Sequence, residues 1–418
     1  MEKPFWMVCI THMFVELYLL TQVALIPVFM REFGLSLFEA SLVASMPSFL
    51  QLLLHIPIGF LVDRFKVKHF LFASMLIEGA SALLLSQTNS FWMVVLGASV
   101  MRISSPIYHI SGLSQISGLG LEKMSRLMGF HNTLGYLGSG IGVVTLAIFL
   151  STLGWRWIYL FWPIPIMAWG LIMLGSPQLG VRTSEKRDVA DKGSLSNLPL
   201  VFSAVFLIFL GAVSLKEVSA NAISTYMTTY LVNTKGLPNA TATFIFGLGP
   251  LMGIIGSLSG GYFGGRMGAK KVLSLAILGC MLSLSILALS SQLYLITLIY
   301  LLYTILSSST YVTKNTIAAN MAPSMVRGLS FSTLFFIEGL MAAITPAAAA
   351  LIVGSFDIWI VFPISLIFLG CSLIVLQLLP YPKRIRPRLE AGWPAGQMSE
   401  SAELPPAGEE PSHYPRQL

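Results

Sequence analysis

Gly59-Phe60-Leu61-Val62-Asp63-Arg64-Phe65-Lys66-Val67-Lys68 separates two long apolar segments. A small residue closing an apolar run, then an acid, then bases, reads as a transmembrane helix leaving the bilayer into a tight basic turn. The pattern returns 202 residues later as Gly261-Tyr262-Phe263-Gly264-Gly265-Arg266-Met267-Gly268-Ala269-Lys270-Lys271. Gly261, Arg266 and Lys270 stand in register with Gly59, Arg64 and Lys68. A recurrence at about half the chain length predicts two copies of one membrane unit.

Composition agrees with this reading. The chain of 418 residues is 55% hydrophobic and only 10% charged, against about 25% charge in a soluble domain. Long uninterrupted apolar runs with few charges mark a polytopic membrane protein. The net charge of +7 is spread over short loops between apolar segments. That is a topogenic pattern rather than a basic face for nucleic acid. Cys9, Cys280 and Cys371 lie far apart inside apolar segments and form neither a disulfide framework nor a metal motif. The first apolar segment is too long for the hydrophobic part of a cleavable leader and contains Glu16, so no leader is expected. No phosphate-binding Gly-x4-Gly-Lys-Ser/Thr loop occurs, and no residue pattern suggests covalent chemistry or a cofactor.

Twelve segments are long enough to span at about 20 residues each. They fall near 5–30, 37–62, 69–86, 91–111, 127–150, 157–174, 200–231, 241–263, 272–289, 293–317, 330–353 and 358–378. The expected organisation is a six-helix half at 1–176, a polar linker at 177–197, a second six-helix half at 198–380 and a disordered tail at 381–418. Placing the Asp63–Lys68 turn in the cytoplasm puts Lys3, Lys66, Lys123, Arg126, Arg182, Lys271 and Arg327 there too. The opposite face keeps Arg31, Arg156 and Lys235. Both termini are therefore expected in the cytoplasm, and the plasma membrane is the expected location.

Charges within the spans need a reason, since each costs about 2.5–3.5 kcal/mol at the bilayer centre. His12 and Glu16, four residues apart, share one face of the first helix. Arg102 falls near the middle of the fourth, with Tyr108 and His109 beyond it. Lys216 and Glu217 lie in the seventh, where Glu217, Asn221, Thr225 and Thr228 repeat at helical spacing as a polar stripe. The tenth carries Tyr303, Ser307, Tyr311 and Lys314, and the last of these either faces the interior or snorkels to the surface. Glu78 in the third helix and Glu338 in the eleventh each admit a cavity role or an interhelical bond. His55 reads as a packing histidine.

Twelve helices in two halves, with this turn repeated, resemble the major facilitator superfamily of transporters. Gly59, Leu61, Asp63, Arg64 and Lys68 match its loop signature, whereas Lys66 stands where glycine is usual and Gly265 replaces the acid in the second copy. The resemblance implies an all-α polytopic membrane fold of 12 transmembrane helices in two six-helix halves related by a pseudo-two-fold axis. It also implies helices one, four, seven and ten around a central cavity, with Glu16 and Arg102 as partners across it. Asp63 and its turn, with Arg266 in the second copy, would latch the halves on the cytoplasmic side, helped by the positive end of a helix dipole. Gly129, Gly138 and Gly142 resemble a glycine motif of antiporters in the fifth helix, although Val143 replaces its proline. Such glycines let two helices approach closely. His12-x3-Glu16 and Ser104-Ser105-Pro106-Ile107-Tyr108-His109 are similar to the fosmidomycin-resistance branch of efflux proteins.

The expected function is secondary active transport by alternating access, as proton-coupled export of a small amphipathic or drug-like molecule. The partners are then substrate, protons and lipid, and the chain would act as a monomer. Proton-coupled uptake of an organic anion or sugar is an alternative, with Arg102, Lys216 and Lys314 supplying positive charge. A non-transporting receptor or scaffold is a third.

Overall fold

The computed structural model of the chain describes residues 3–62, 66–117, 124–179, 203–321 and 327–380. Asp63 and Arg64 of the basic turn, nearly all of the 177–197 linker and the whole 381–418 tail lie outside the described residues. Of the linker, Pro177–Leu179 forms a short 3-10 helix.

Twelve helical spans are long and apolar enough to cross a membrane: Lys3–Ala24, Leu37–His55, Val67–Ser86, Phe91–Gly112, Gly129–Thr152, Trp155–Gly175, Ala204–Asn233, Asn239–Met267, Ala269–Leu289, Leu293–Met321, Thr333–Val353 and Ile358–Leu378. They are called the first to the twelfth span below. Their outward faces carry large apolar side chains such as Leu84, Leu96, Ile164, Leu282 and Ile367, the surface that lipid rather than water would cover. Local signals fix several starts. At the second span Ser36 Oγ accepts from the Glu39 amide at 3.3 Å while Glu39 Oε2 accepts from the Ser36 amide at 2.8 Å, a reciprocal cap. Ser90 and Ser203 cap the fourth and seventh by accepting from the Met93 and Phe206 amides.

Inside the N-terminal half the first span packs on the fifth and the third on the sixth. In the C-terminal half the seventh packs on the twelfth and eleventh, and the tenth on the eighth and ninth. Between the halves, the fifth span packs on the eighth and the second on the eleventh. Exchanging the halves turns one of these pairs into the other, as a pseudo-two-fold axis requires. Thr21–Ala24 at the end of the first span and the helix Ile26–Phe33 after it also lie against the seventh, and Ser45 Oγ accepts from the Ala347 amide at 3.2 Å across the halves.

The glycine motif divides on inspection. A Cβ on Gly138 would collide with the Met13 carbonyl, and one on Gly142 with the Leu17 carbonyl. The first and fifth spans therefore touch backbone to backbone. Gly129 faces open space, so it takes no part in this approach.

Two of the discontinuous spans carry charges at their breaks. The first is helical over Lys3–Glu16 and Thr21–Ala24, and the helix Ile26–Phe33 follows it. Between the first two pieces, Leu17, Leu19 and Thr21 make tight three-residue turns onto Phe14, Glu16 and Tyr18. The fourth span divides into Phe91–Met101 and Ser104–Ser117. Pro106 has no N–H to give the Arg102 carbonyl, and the Ser105 amide reaches that carbonyl instead at 3.3 Å. Glu16 and Arg102 thus both stand where a span loses its regular helix.

Candidate functional site

Between the halves lies a cavity of about 120 Å³. The first, second, third and fourth spans line it from one half, with Tyr18, Gln22, Pro47, Ser48, Glu78, Arg102 and Ser104. Asn221, Ser224 and Thr225 of the seventh span and Ala342 and Pro346 of the eleventh close it from the other. The polar stripe of the seventh span therefore reaches the cavity through Asn221 and Thr225, while Glu217 and Thr228 do not line it.

Glu16 sits beside this cavity rather than in it. His109 Nε2 lies 3.1 Å and His12 Nε2 3.5 Å from Glu16 Oε1. His12 Nδ1 lies 2.9 Å from the His131 carbonyl. A carbonyl only accepts, so Nδ1 carries the hydrogen and Nε2 faces the carboxylate, where a hydrogen bond needs a proton on one of the two. The His131 ring stacks on His12 at 3.9 Å between centroids, and the Tyr108 ring lies parallel to His12 at 5.3 Å. The Tyr108 hydroxyl donates to the Val8 carbonyl at 2.8 Å and lies 2.9 Å from His131 Nε2. His12, Glu16, Tyr108 and His109 thus come together, and His131 of the fifth span joins them. His131 has no periodicity to single it out in sequence. Its only signal was being an imidazole within an apolar span. Ligand atoms of His12, Glu16 and His109 lie within 4.8 Å of one another, a spacing that could also hold a metal ion.

The expected Glu16–Arg102 pair is not formed. Arg102 Nε instead donates to Gln51 Oε1 at 2.7 Å, and Gln51 Nε2 donates to Ser105 Oγ at 3.3 Å. The break in the fourth span turns Arg102 toward the second, and the two histidines already hold Glu16. Glu78, buried at 2% exposure, accepts from the Ser104 hydroxyl. His55 stays a packing residue, its Nδ1 on its own helix at the Gln51 carbonyl, 2.7 Å away.

A second charged cluster ties three spans of the C-terminal half together. Lys314 Nζ lies 2.6 Å from Glu217 Oε1 and 2.8 Å from Glu338 Oε1, and Lys216 Nζ lies 3.1 Å from Glu217 Oε1. Lys314 is 1% exposed with its ammonium 4.7 Å from the Tyr311 ring centre. Snorkelling is therefore excluded for it. Two acids and two bases balance, which removes the net charge that burial would penalise.

Of the expected latch, Asp63 and Arg64 lie outside the described residues. Gly59 falls near the end of the helix Leu37–Val62, and Lys68 lies in the first turn of Val67–Ser86. Arg266 is exposed and stacks on Tyr262 one turn back, 4.5 Å from the ring centre, so it reaches no described residue of the other half.

The sequence matches the family described as Major Facilitator Superfamily over residues 8–346. No curated protein matches the sequence. Among solved structures, a bacterial homologue of the human lysosomal transporter Spinster, in an inward-facing and occupied conformation, superposes with a TM-score of 0.75 at 14% identity, covering 91% of this chain and 97% of that one. A point mutant of the nucleoside transporter NupG superposes with a TM-score of 0.76 at 12% identity, covering 91% of this chain and 100% of that one. At such identities these likenesses concern the fold.

Proposed function

The chain belongs to the major facilitator superfamily, and on that premise we propose that it is a proton-coupled antiporter exporting a small amphipathic molecule by alternating access. On this reading the basic face, with both ends of the chain, lies in the cytoplasm. Membership of that family makes the chain a transporter of a small molecule rather than an enzyme. What supports proton coupling is one observation: Glu16 is held between His12 and His109 at the break of the first span, beside the cavity. A carboxylate facing two imidazoles can take or release a proton through a hydrogen bond already formed. Glu16 is backbone-linked to the fifth span as well, since Ser139 Oγ donates to its carbonyl at 3.2 Å. Rocking of the halves would change its access to water without breaking the cluster. The apolar wall of the cavity, with Val15, Val43 and Met101 beside polar groups, suits a molecule with one polar end.

The test uses proteoliposomes with an acid lumen and a panel of radiolabelled small amphipathic compounds outside. A cargo compound accumulates while the gradient stands and leaks back when an ionophore collapses it. Glu16→Gln should abolish accumulation yet keep exchange of the same compound across the membrane. Accumulation that ignores the ionophore would remove proton coupling from this reading.

A further inference from the structure

Arg102, Lys216 and Lys314 lie deep within the spans, and two of the three are neutralised. Lys216 and Lys314 both contact Glu217, and Lys314 also contacts Glu338. Arg102 differs. One of its five N–H groups is used, by Gln51. The other four have no hydrogen-bond partner among the described residues, and no carboxylate of a described residue lies within 4.0 Å of the guanidinium. Glu16 is engaged by His12 and His109, and Glu78 by Ser104.

Arg102 lines the cavity. A guanidinium with idle donors in a membrane interior is costly, and a planar anion relieves that cost. The two oxygens of a carboxylate match its fork, whereas a lone neutral acceptor fills one arm. Gln51, itself held by Ser105, fixes the fork's orientation in advance. Glu78 on the same wall is taken by the Ser104 hydroxyl and offers no positive charge to a second carboxylate. Across the cavity, Asn221 gives one of its two amide hydrogens to the Glu217 carbonyl at 2.8 Å, and Ser224 stands beside it.

We propose that the cargo is a small monocarboxylate and that Arg102 binds its carboxylate. This rests on the cavity being the cargo site of the transporter described above. The size follows from the volume: the cavity measures about 120 Å³, and an apolar cavity of about 150 Å³ admits benzene. A short branched-chain acid, with no more heavy atoms than benzene, fits that scale, whereas a benzene ring bearing a carboxylate exceeds it.

Isobutyrate and isobutyramide share a shape and differ in charge, so they are the probes. Thermal unfolding of the purified full chain should be raised by isobutyrate, with an affinity about ten- to a hundredfold above that for isobutyramide. Arg102→Gln should erase that difference. Arg102→Lys, which keeps the charge and loses the fork, should retain part of it. The proposal is overturned if isobutyramide stabilises as well as isobutyrate, if Arg102→Gln leaves isobutyrate binding intact, or if chloride alone reproduces the isobutyrate effect. Should Arg102→Gln fail to fold, the comparison of the two probes on the native chain still decides. The two readings fail separately. A neutral compound accumulated by the proton gradient removes the carboxylate and spares antiport. Arg102-dependent isobutyrate binding with gradient-blind movement does the reverse.

Discussion

Lys314 holds two carboxylates, from the seventh and eleventh spans, and its loss shows what a buried charge network costs. Removing one partner leaves uncompensated charge in the membrane interior, typically about 3–5 kcal/mol. Lys314→Met is therefore expected to lower thermal stability sharply in detergent. Adding Glu338→Gln leaves Lys216 and Glu217 as a balanced pair, so the double variant should recover much of the loss. A double variant no more stable than the single one would mean that the cluster's worth lies in packing rather than charge. Tyr108→Phe makes a smaller, different test. It takes from the Val8 carbonyl its second donor, the hydroxyl, and leaves His131 Nε2 without its neighbour, at about 1–3 kcal/mol for a buried group left unpaired. A melting temperature unchanged in Tyr108→Phe would show that water replaces the hydroxyl. These partners were half legible in the sequence. The charged residues announced themselves by being where charge is expensive, but Gln51 and His131, which complete their bonds, carry no charge penalty and no spacing that sets them apart.

At the scale of the element, the contact of the first and fifth spans depends on two glycines that leave the carbonyls of Met13 and Leu17 no room for a side chain. Gly138→Ala and Gly142→Ala should each force the spans apart and displace His12 and Glu16 from His109, with loss of stability and of gradient-driven accumulation. Gly129→Ala, facing open space, should leave both unchanged. Equal effects at the three positions would mean that helix propensity, not approach, decides. The sequence pattern grouped these glycines by resemblance, yet only the relative rotation of the two spans separates the pair that packs from the one that does not. The broken fourth span was likewise written locally, in Pro106, but its consequence was not. The proline says that the Arg102 carbonyl loses its helical partner; it does not say which neighbour the side chain then meets.

For the whole molecule, the paired contacts of the fifth with the eighth span and the second with the eleventh are the surfaces across which two halves would rock. The Ser45 hydroxyl and the Ala347 amide meet across one of them. A disulfide between Ser45→Cys and Ala347→Cys, in a Cys371→Ser background because that thiol is exposed, should stop transport on oxidation and release it on reduction. Undiminished transport by the oxidised pair would contradict rocking at this interface. Binding of a cargo analogue should survive the crosslink, since the cavity would be held in one state rather than destroyed.

The sequence by itself determined the class of molecule: twelve spans, two halves in repeat, one basic face and a short inventory of buried charge. Each of these is a sum over about 20 consecutive residues in a solvent that tolerates only closed hydrogen bonding, so local chain chemistry suffices. The tertiary structure alone decided who meets whom. Glu16 went to two histidines, Arg102 to Gln51, and Lys314 inward to two acids. The reason is geometric. A helix turns about 100° per residue, so a side chain's partner depends on the rotation and depth of each span against its neighbours, and those are set by the packing of all twelve together.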